Sequence, residues 1–396
     1  MEVGDYWLFL MILLVIAAMV RGDFAISVLY LFLGAYFLGK WWGGKALTNV
    51  TCQRYFDPYT FLGEEVTVRL VVRNKGWLPI AWLRLYESLP VELTIPNAVN
   101  QVITLGARSQ SIVMYSLHAR KRGYYPIGPL FTSTGDILGL SREQQKQGDI
   151  DHLIVYPKII TLTRPRFHSH SPQGTLRSNQ PLFEDPSRVL SKRDYVAGDS
   201  LRRVDWKASA TVGRLQVKQF EPSIALETAI FLDLNISDYD PHFRIDSTEL
   251  AIVIAASLAS WVIRKKQTVG LVTNGVDQLD ASQPSRPLLP RKGRSHLTHV
   301  LETLARLQAA ETFSIAAILR RDSPHLTWGT TLIVITGKVD EILFDELFQT
   351  RRRGLNAVII LAGRVADWQE IQRKADLFGF PAYAFQNEGD LDLWRQ

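Results

Sequence analysis

The sequence is poor in cysteine, because Cys52 is the only cysteine among 396 residues. A single cysteine excludes an intrachain disulfide and any zinc site built from paired cysteines. The phosphate-binding patterns GxxxxGK[ST] and GxGxxG after a strand are absent, and so is GxSxG, which disfavours a nucleotide hydrolase or a serine hydrolase. With 46% hydrophobic and 21% charged residues, the chain is too apolar to be disordered.

Two apolar runs occur near the start of the sequence, over residues 7–20 and 24–42. As helices they would span about 21 Å and about 28 Å, so the second crosses a bilayer core and the first needs local thinning. A cleaved signal peptide is the alternative, and it is disfavoured because Glu2 and Asp5 stand where basic residues belong. We predict a transmembrane two-helix hairpin within residues 1–47.

The basic residues around these runs predict the orientation in the membrane. Lys40, Lys45 and Arg54 follow the second run, whereas the turn between the runs has only Arg21. Basic residues favour the cytoplasmic side, and a hairpin places both of its ends on one side. We therefore expect a multi-pass protein of the inner (cytoplasmic) membrane with cytoplasmic soluble domains.

Three further regions follow the hairpin. Residues 48–150 alternate apolar and polar in short runs, which predicts an antiparallel β-sandwich whose last hairpin lies within 122–140. In residues 223–396, apolar strands alternate with helices, which predicts a doubly wound α/β domain. The apolar run 250–263 is too short for a third span, so we interpret it as a core helix.

The region between them, residues 151–222, is predicted to be a charged linker. Between 164 and 222 it has eleven Lys and Arg against six Asp and Glu. Anionic lipid and nucleic acid are possible partners of such a segment, but the interleaving of acids and bases favours ion pairing. We expect a charged latch that closes on the α/β domain, with Trp206 as its apolar anchor. The alternative is an enzyme that uses Asp199 or Asp205 for acid–base chemistry.

The segment Asp233-Leu234-Asn235-Ile236-Ser237 follows the first strand of the predicted α/β domain. It places a carboxylate, an amide and a hydroxyl at the sheet edge where such folds bind ligands, and a hard cation prefers oxygen ligands. The alternative is a strand end whose polar side chains bond loop backbone groups. We favour the alternative, because Gly337 and Lys338 follow a neighbouring strand and bring no second carboxylate.

The run RDYVAGDSLRRVDWKASATVGRLQVKQFE at 193–221, preceded by the YPK strand at 156–158, strongly resembles a bacterial family known as domain of unknown function 58. The motif residues are Arg193, Tyr195, Gly198, Asp199, Arg202, Asp205, Trp206, Lys207, Lys218 and Glu221. The resemblance implies a von Willebrand factor A-like domain after the motif and a MoxR-type AAA+ ATPase as partner.

The same resemblance places Asp233, Asn235 and Ser237 on a metal-ion-dependent adhesion motif, Asp-x-Ser-x-Ser, in a degenerate form. Asn235 replaces the first serine of that motif, and Gly337 replaces a second aspartate. Ser295 and Thr298 are near the expected place of its threonine. The resemblance therefore implies the fold, whereas the substitutions argue against a working cation site.

From these observations we expect a membrane-anchored protein-interaction scaffold that binds a MoxR-type ATPase or a client of that ATPase. We assign no catalytic residue, cofactor or nucleic-acid partner, and a divalent cation such as Mg²⁺ is the alternative to an empty site. Two rival functions stay open at this point: an enzyme that uses the 193–221 motif, and an envelope-binding protein with exported soluble domains.

Overall fold

The computed structural model describes most of the chain, namely residues 11–12, 15, 23–93, 100–135, 142–163, 184–196, 204–222 and 227–394. It divides into two compact units, Met1–Lys158 with Glu302–Arg306, and Ile159–Leu301 with Leu307–Gln396. The predicted span over 7–20 lies almost wholly outside the described residues, so the hairpin stays a prediction. The predicted boundaries at residues 47, 150 and 222 stay predictions as well.

Helix α1, Asp23–Leu47, covers the second predicted span. Large apolar side chains on it are exposed, among them Leu31 at 69%, Leu38 at 60% and Trp41 at 52%. Its last turn is different, because Ala46 and Leu47 are buried in a core that they share with the strands that follow. The helix therefore joins the first unit at its C-terminal end and leaves an apolar surface uncovered before it.

The first unit consists mainly of antiparallel strands. They are β1 Val50–Tyr55, β2 Tyr59–Phe61, β3 Glu65–Asn74, β4 Ile80–Glu87, β5 Asn100–Leu105, β6 Gln110–His118, β7 Gly123–Ile127, β8 Leu130–Gly135, β9 Arg142–Gln147 and β10 Asp151–Tyr156. The sheets have the orders β1-β3-β6, β5-β4-β8-β9 and β2-β10-β7, in which only the β2–β10 pair is parallel. Leu70 of β3 and Leu83 of β4 share one buried cluster, so the first two of these sheets pack face to face.

The predicted last hairpin of this unit is wrong. The segment does form two strands, β7 and β8, but β7 pairs with β10 whereas β8 pairs with β4 and β9. Between them, Gly128 has a φ of 101°, and the chain passes from one sheet into another. Turn residues predict that a chain reverses, but not which sheet the next strand joins.

The second unit contains a two-stranded ribbon, a small sheet, a six-stranded sheet and most of the helices. Its strands are β11 Glu184–Asp194, β12 Gln216–Pro222, β13 Glu227–Leu232, β14 Thr268–Thr273, β15 Val276–Asp277, β16 Asp280–Pro284, β17 Leu288–Arg291, β18 Leu307–Gln308, β19 Thr331–Thr336, β20 Asn356–Ala362 and β21 Ala382–Phe385. Its helices are α2 Trp206–Val212, α3 Arg244–Arg264, α4 Arg294–Arg306, α5 Ile315–Asp322, α6 Glu341–Arg352 and α7 Trp368–Phe378. Glu302–Arg306 of α4 is assigned to the first unit.

The six-stranded sheet has the order β17-β14-β13-β19-β20-β21. Its strands are parallel except for β17, which runs antiparallel at one edge. The central strands are buried almost throughout, as expected for a parallel sheet covered on both faces by helices. The predicted multi-domain, mixed α/β fold class is confirmed.

Helix α3 is long and apolar enough, by length and composition, to cross a membrane. In this fold, however, 72% of its most apolar window is buried. Side chains such as Ile252, Ile254 and Leu258 are fully enclosed. This burial supports the prediction that 250–263 forms a core helix.

Candidate functional site

The carboxyl ends of β13 and β19 lie side by side at the centre of the six-stranded sheet. From β13 the chain proceeds to β14 and β17 on one side, and then returns to β19 on the other side. Doubly wound sheets bind ligands outside such a reversal of strand order, at the carboxyl ends of the strands. Asp233 follows β13 directly and Thr336 ends β19, so both lie at this position.

The Asp233 carboxylate is fully buried and is held by three donors. Oδ1 accepts hydrogen bonds from Asn274 Nδ2 at 2.7 Å and from the backbone N–H of Asn235 at 3.0 Å. Oδ2 accepts from Thr336 Oγ1 at 2.6 Å. Asn274, which follows β14, also accepts from Leu234 N at 2.6 Å, so one amide connects two strand ends.

Burial raises the pKa of Asp233 to about 6, although the hydrogen bonds from Thr336 and Asn274 act to lower it. Tyr239 closes the same network, because its hydroxyl donates to the backbone carbonyl of Asp233 at 2.6 Å. Burial, together with the charge of Asp233, raises the pKa of Tyr239, so this hydroxyl stays protonated and remains a donor. The network is therefore polar, enclosed and supplied with donors from the protein itself.

These residues do not fit a divalent cation. Asp233 is the only carboxylate directly after the described strands β13, β14 and β19, and both of its oxygens already accept from protein donors. The second carboxylate position is Gly337, where a Cβ would lie 2.4 Å from Cδ1 of Tyr239 and 2.5 Å from the Asp238 carbonyl oxygen. In the described residues, no group of three or more His, Cys, Asp or Glu side chains is arranged to hold a metal ion.

The Asn235 side chain and the Ser237 backbone bond within the loop. Asn235 Oδ1 accepts from the N–H of Ser237 at 3.4 Å, and Asn235 Nδ2 donates to Asp238 at 2.8 Å. Asn235 therefore caps the single 3₁₀ turn at Ile236–Asp238. The interpretation that these polar side chains bond loop groups describes this geometry better than a ligand set does.

The structure places Thr312, and neither Ser295 nor Thr298, beside Asn235. Thr312 N donates to Asn235 Oδ1 at 3.3 Å, whereas Thr298 Oγ1 bonds Arg294 within α4. The Thr312 hydroxyl is buried and has no hydrogen-bond partner within the described part of the chain. Thr312 and Asn274 are not among the residues predicted from the sequence. Asn274 could be predicted from its position directly after the strand TVGLVT, because the carboxyl ends of parallel strands lie at the same edge of a sheet.

Exposed residues surround the buried network. Phe313, next to Thr312, is 72% exposed, and its carbonyl accepts from Asn274 Nδ2 at 2.9 Å. Ser237 and Lys338 are exposed as well. We call Ser237, Phe313 and Lys338 the sheet-edge surface. It combines an aromatic ring, a hydroxyl and a cation on a firmly held edge, which is a set of groups suited to binding.

The motif at 193–221 forms a separate structure, the ribbon β11–β12 with α2 between its strands. Asp205 caps α2 by accepting from Ala208 N at 3.2 Å and pairs with Lys192 at 2.9 Å. The hydrogen bond from Lys192 and that from Ala208 lower the pKa of Asp205. Arg193 and Lys218 lie in the paired strands, at the register positions opposite Val217 and Lys192.

The structure describes some of the remaining motif residues and not others. Tyr195 N donates to Leu215 O at 2.8 Å, Lys207 is exposed on α2, and Glu221 lies in β12 opposite Asp185. Gly198, Asp199 and Arg202 lie outside the described residues. Trp206 is 66% exposed, so its predicted role as an apolar anchor lacks the burial that it requires. The latch itself stays a prediction.

A second buried polar network occupies the first unit. Arg54 of β1 pairs with Glu87 of β4 and with Asp151 of β10, and Tyr115 of β6 donates its hydroxyl to Glu87. Burial raises the pKa of Tyr115, and the charge of Glu87 raises it further. Burial and Glu87 also raise the pKa of Cys52 to about 12. This network links strands of all three sheets by charge-assisted bonds.

Comparison with known families finds a match that includes the 193–221 motif. Residues 191–372 match the family described as "Protein of unknown function DUF58". The chain is also 25% identical, over 308 residues, to the "Uncharacterized protein YeaD" of Bacillus subtilis (strain 168), with 76% of this chain and 72% of that protein covered. The family prediction is confirmed over residues 191–372.

Solved structures resemble parts of the chain only distantly. An aerotolerance-related membrane protein from Bacteroides fragilis NCTC 9343 has a TM-score of 0.30 and 14% identity, over 43% of this chain and 97% of that chain. Proximal thread matrix protein 1 from the mussel byssus has a TM-score of 0.33 and 11% identity, over 44% of this chain and 47% of that chain. Likenesses at these scores carry no argument about function.

Proposed function

We propose that this chain, whose residues 191–372 match the DUF58 family, is a membrane-anchored scaffold that binds another protein at the sheet-edge surface. The partner is a MoxR-type AAA+ ATPase, or a client that such an ATPase remodels. The observation that carries the proposal is the buried Asp233 network beneath exposed Phe313, because it forms a rigid edge with binding groups outside.

Helix α1 supports the membrane anchor. Its exposed apolar side chains, such as Leu31 and Leu38, would be poorly placed in water and well placed among lipid chains. Lys40 and Lys45 near its C-terminal end favour a cytoplasmic first unit. The proposed location is the cytoplasmic membrane, with a second helix over 7–20 and both soluble units inside the cell.

We further infer that the second unit is von Willebrand factor A-like. The support is its strand order, in which one antiparallel edge strand, β17, precedes five parallel strands. The described residues at the sheet edge do not fit a divalent metal ion, so the proposed contact with the partner is metal-independent. Backbone donors, Lys338 and the Phe313 ring are the groups that would make it.

A binding measurement tests this function with the full-length protein in lipid nanodiscs and a purified MoxR-type ATPase from the same cell. We expect binding that persists in the presence of a chelator of divalent cations. Phe313→Ala and Lys338→Glu should each weaken it by roughly tenfold, as expected for central interface residues.

Leu377→Ala is the matched control for these variants. Leu377 is 78% exposed near the end of α7, which leads into β21 and therefore ends at the opposite edge of the sheet. Binding that is absent, or that responds equally to all three variants, would refute the proposed surface. A reporter fused after Gln396 tests the orientation, and activity of an export-dependent reporter there would refute the cytoplasmic placement.

A further inference from the structure

The C-terminal end of α1 meets two turns of the β-rich first unit. Trp42 Nε1 donates to the carbonyl of Pro79 at 3.0 Å, and Lys75 N donates to the carbonyl of Asn49 at 2.9 Å. Both contacts belong to the turn between β3 and β4. This turn is therefore fixed at the level of Trp42 along the helix.

The neighbouring turn between β5 and β6 is tied to the same place. Buried Asn74 donates from Nδ2 to the carbonyls of Leu78 at 2.8 Å and Gly106 at 2.9 Å, one in each turn. Arg108 N donates to the Gly76 carbonyl at 3.0 Å. The two turns and the helix end therefore form one continuous surface, which is rigid because backbone groups hold it together.

The exposed groups of this surface are aromatic and basic. Trp77 is 65% exposed, Trp41 is 52% exposed and Trp42 is 37% exposed. Lys75 and Arg108 are exposed on the two turns. No acidic residue occurs in segments 36–49, 74–80 or 105–110, which supply the surface. We call Trp41, Trp42, Lys75, Trp77 and Arg108 the juxtamembrane platform.

We propose that the juxtamembrane platform docks on the headgroups of anionic lipids in the bilayer that α1 enters. Indole rings favour the membrane–water interface, and basic side chains are attracted to a surface of anionic lipid. The platform is continuous with the exposed apolar face of α1, which the proposed anchor places in the bilayer. Lipid is therefore the molecule that the platform would contact. The inference rests on the proposed membrane anchor and adds to it a lipid-binding surface.

The length of α1 supports lipid as the ligand of the platform. From Asp23 to Trp41 the helix covers 19 residues, or about 28 Å, close to the thickness of a bilayer core. With Trp41 and Trp42 at the interface, α1 spans the core without tilting far. Docking of the platform therefore sets the depth of the helix and holds the first unit against the membrane.

A fluorescence-quenching experiment tests the proposal with the full-length protein in proteoliposomes. In a Cys52→Ser background, Ala107→Cys carries a bimane label beside Arg108 and leaves the platform residues intact. Glu65→Cys is the control, because it lies nine residues from Asn74 along β3, or about 30 Å. Nitroxide lipids labelled at the headgroup serve as the quencher.

We expect the label at Ala107 to be quenched more strongly in vesicles of phosphatidylcholine with phosphatidylglycerol than in phosphatidylcholine alone. The label at Glu65 should not be quenched in either. Lys75→Glu with Arg108→Glu should remove the increase caused by phosphatidylglycerol. Arg120→Glu with Lys121→Glu, which makes the same charge change elsewhere in the unit, should preserve it.

Equal quenching at the two sites, or quenching that does not depend on phosphatidylglycerol, would refute the docking of the platform on anionic lipid. Neither result would refute the membrane anchor. If the label at Ala107 is shielded from a water-soluble quencher but is not quenched by the nitroxide lipids, the surface binds a protein partner. That result would also refute the docking of the platform on lipid. Failure of the protein to float with the vesicles is a separate readout, and it would refute the anchor itself.

Discussion

Replacement of Glu87 by glutamine should destabilise the first unit more than any other single change in its polar network. The side chains of Arg54 and Glu87 are 5% and 0% exposed. The change keeps the size of the side chain but removes the charge that balances a buried guanidinium. Loss of one partner from a buried ion pair costs about 3–5 kcal/mol, because the remaining charge stays in a medium that solvates it poorly.

Asp151→Asn is the matched control, since Asp151 pairs with the same guanidinium but its side chain is 47% exposed. Water solvates and screens an exposed pair, so this variant should lose only about 0–1 kcal/mol. The two variants remove the same charge from the same arginine. The difference between them therefore measures the effect of burial.

Thermal unfolding of the full-length protein in detergent micelles provides the assay. For a unit of this size, Glu87→Gln should lower Tm by roughly 6–20 °C, and Asp151→Asn by at most a few degrees. Addition of Arg54→Met to Glu87→Gln should recover part of the loss, because no unpaired charge then remains. Equal small shifts in the two single variants would show that the Arg54 charge is not buried and would refute the reasoning.

Three further predictions concern the other sites. Titration calorimetry with Mg²⁺ or Mn²⁺ should show no binding below millimolar concentration, and micromolar binding that disappears in Asp233→Ala would contradict the geometry at the sheet edge. Gly337→Ala should destabilise the second unit by about 1–3 kcal/mol in denaturant unfolding, because its Cβ would lie 2.4 Å from Tyr239, whereas Gly44→Ala meets no atom within 4 Å. Cys52, whose pKa is about 12, should be alkylated at neutral pH roughly 1,000-fold more slowly than an unperturbed thiol, and fast alkylation of the folded protein would refute the burial.

Local patterns in the sequence determined much of the secondary structure. Strand β3 alternates polar and apolar residues over Glu65–Leu70, and the buried side chains in this part are the apolar Val66, Val68 and Leu70. Helix α6 begins at a capping aspartate, Asp340, which accepts from Leu343 N at 2.8 Å. Such features depend on residues within a few positions of one another, so the sequence alone reveals them.

The composition of the candidate site depended on tertiary structure. Asp233 meets Asn274 across 41 positions of sequence and Thr336 across 103. Thr312 approaches Asn235 across 77 positions. The strand order brings these side chains together, and that order arises from pairing between distant segments, which no local periodicity records.

The same reason explains two other differences between prediction and structure. Strands β7 and β8 have the pattern of a hairpin, yet each pairs with a different partner. Trp206 is a large apolar residue in a charged segment, yet it is 66% exposed. The sequence by itself determined where many of the strands and helices form and where the apolar run over 24–42 lies. Tertiary packing alone decided which strands pair and which side chains are buried, because both depend on contacts between distant parts of the chain.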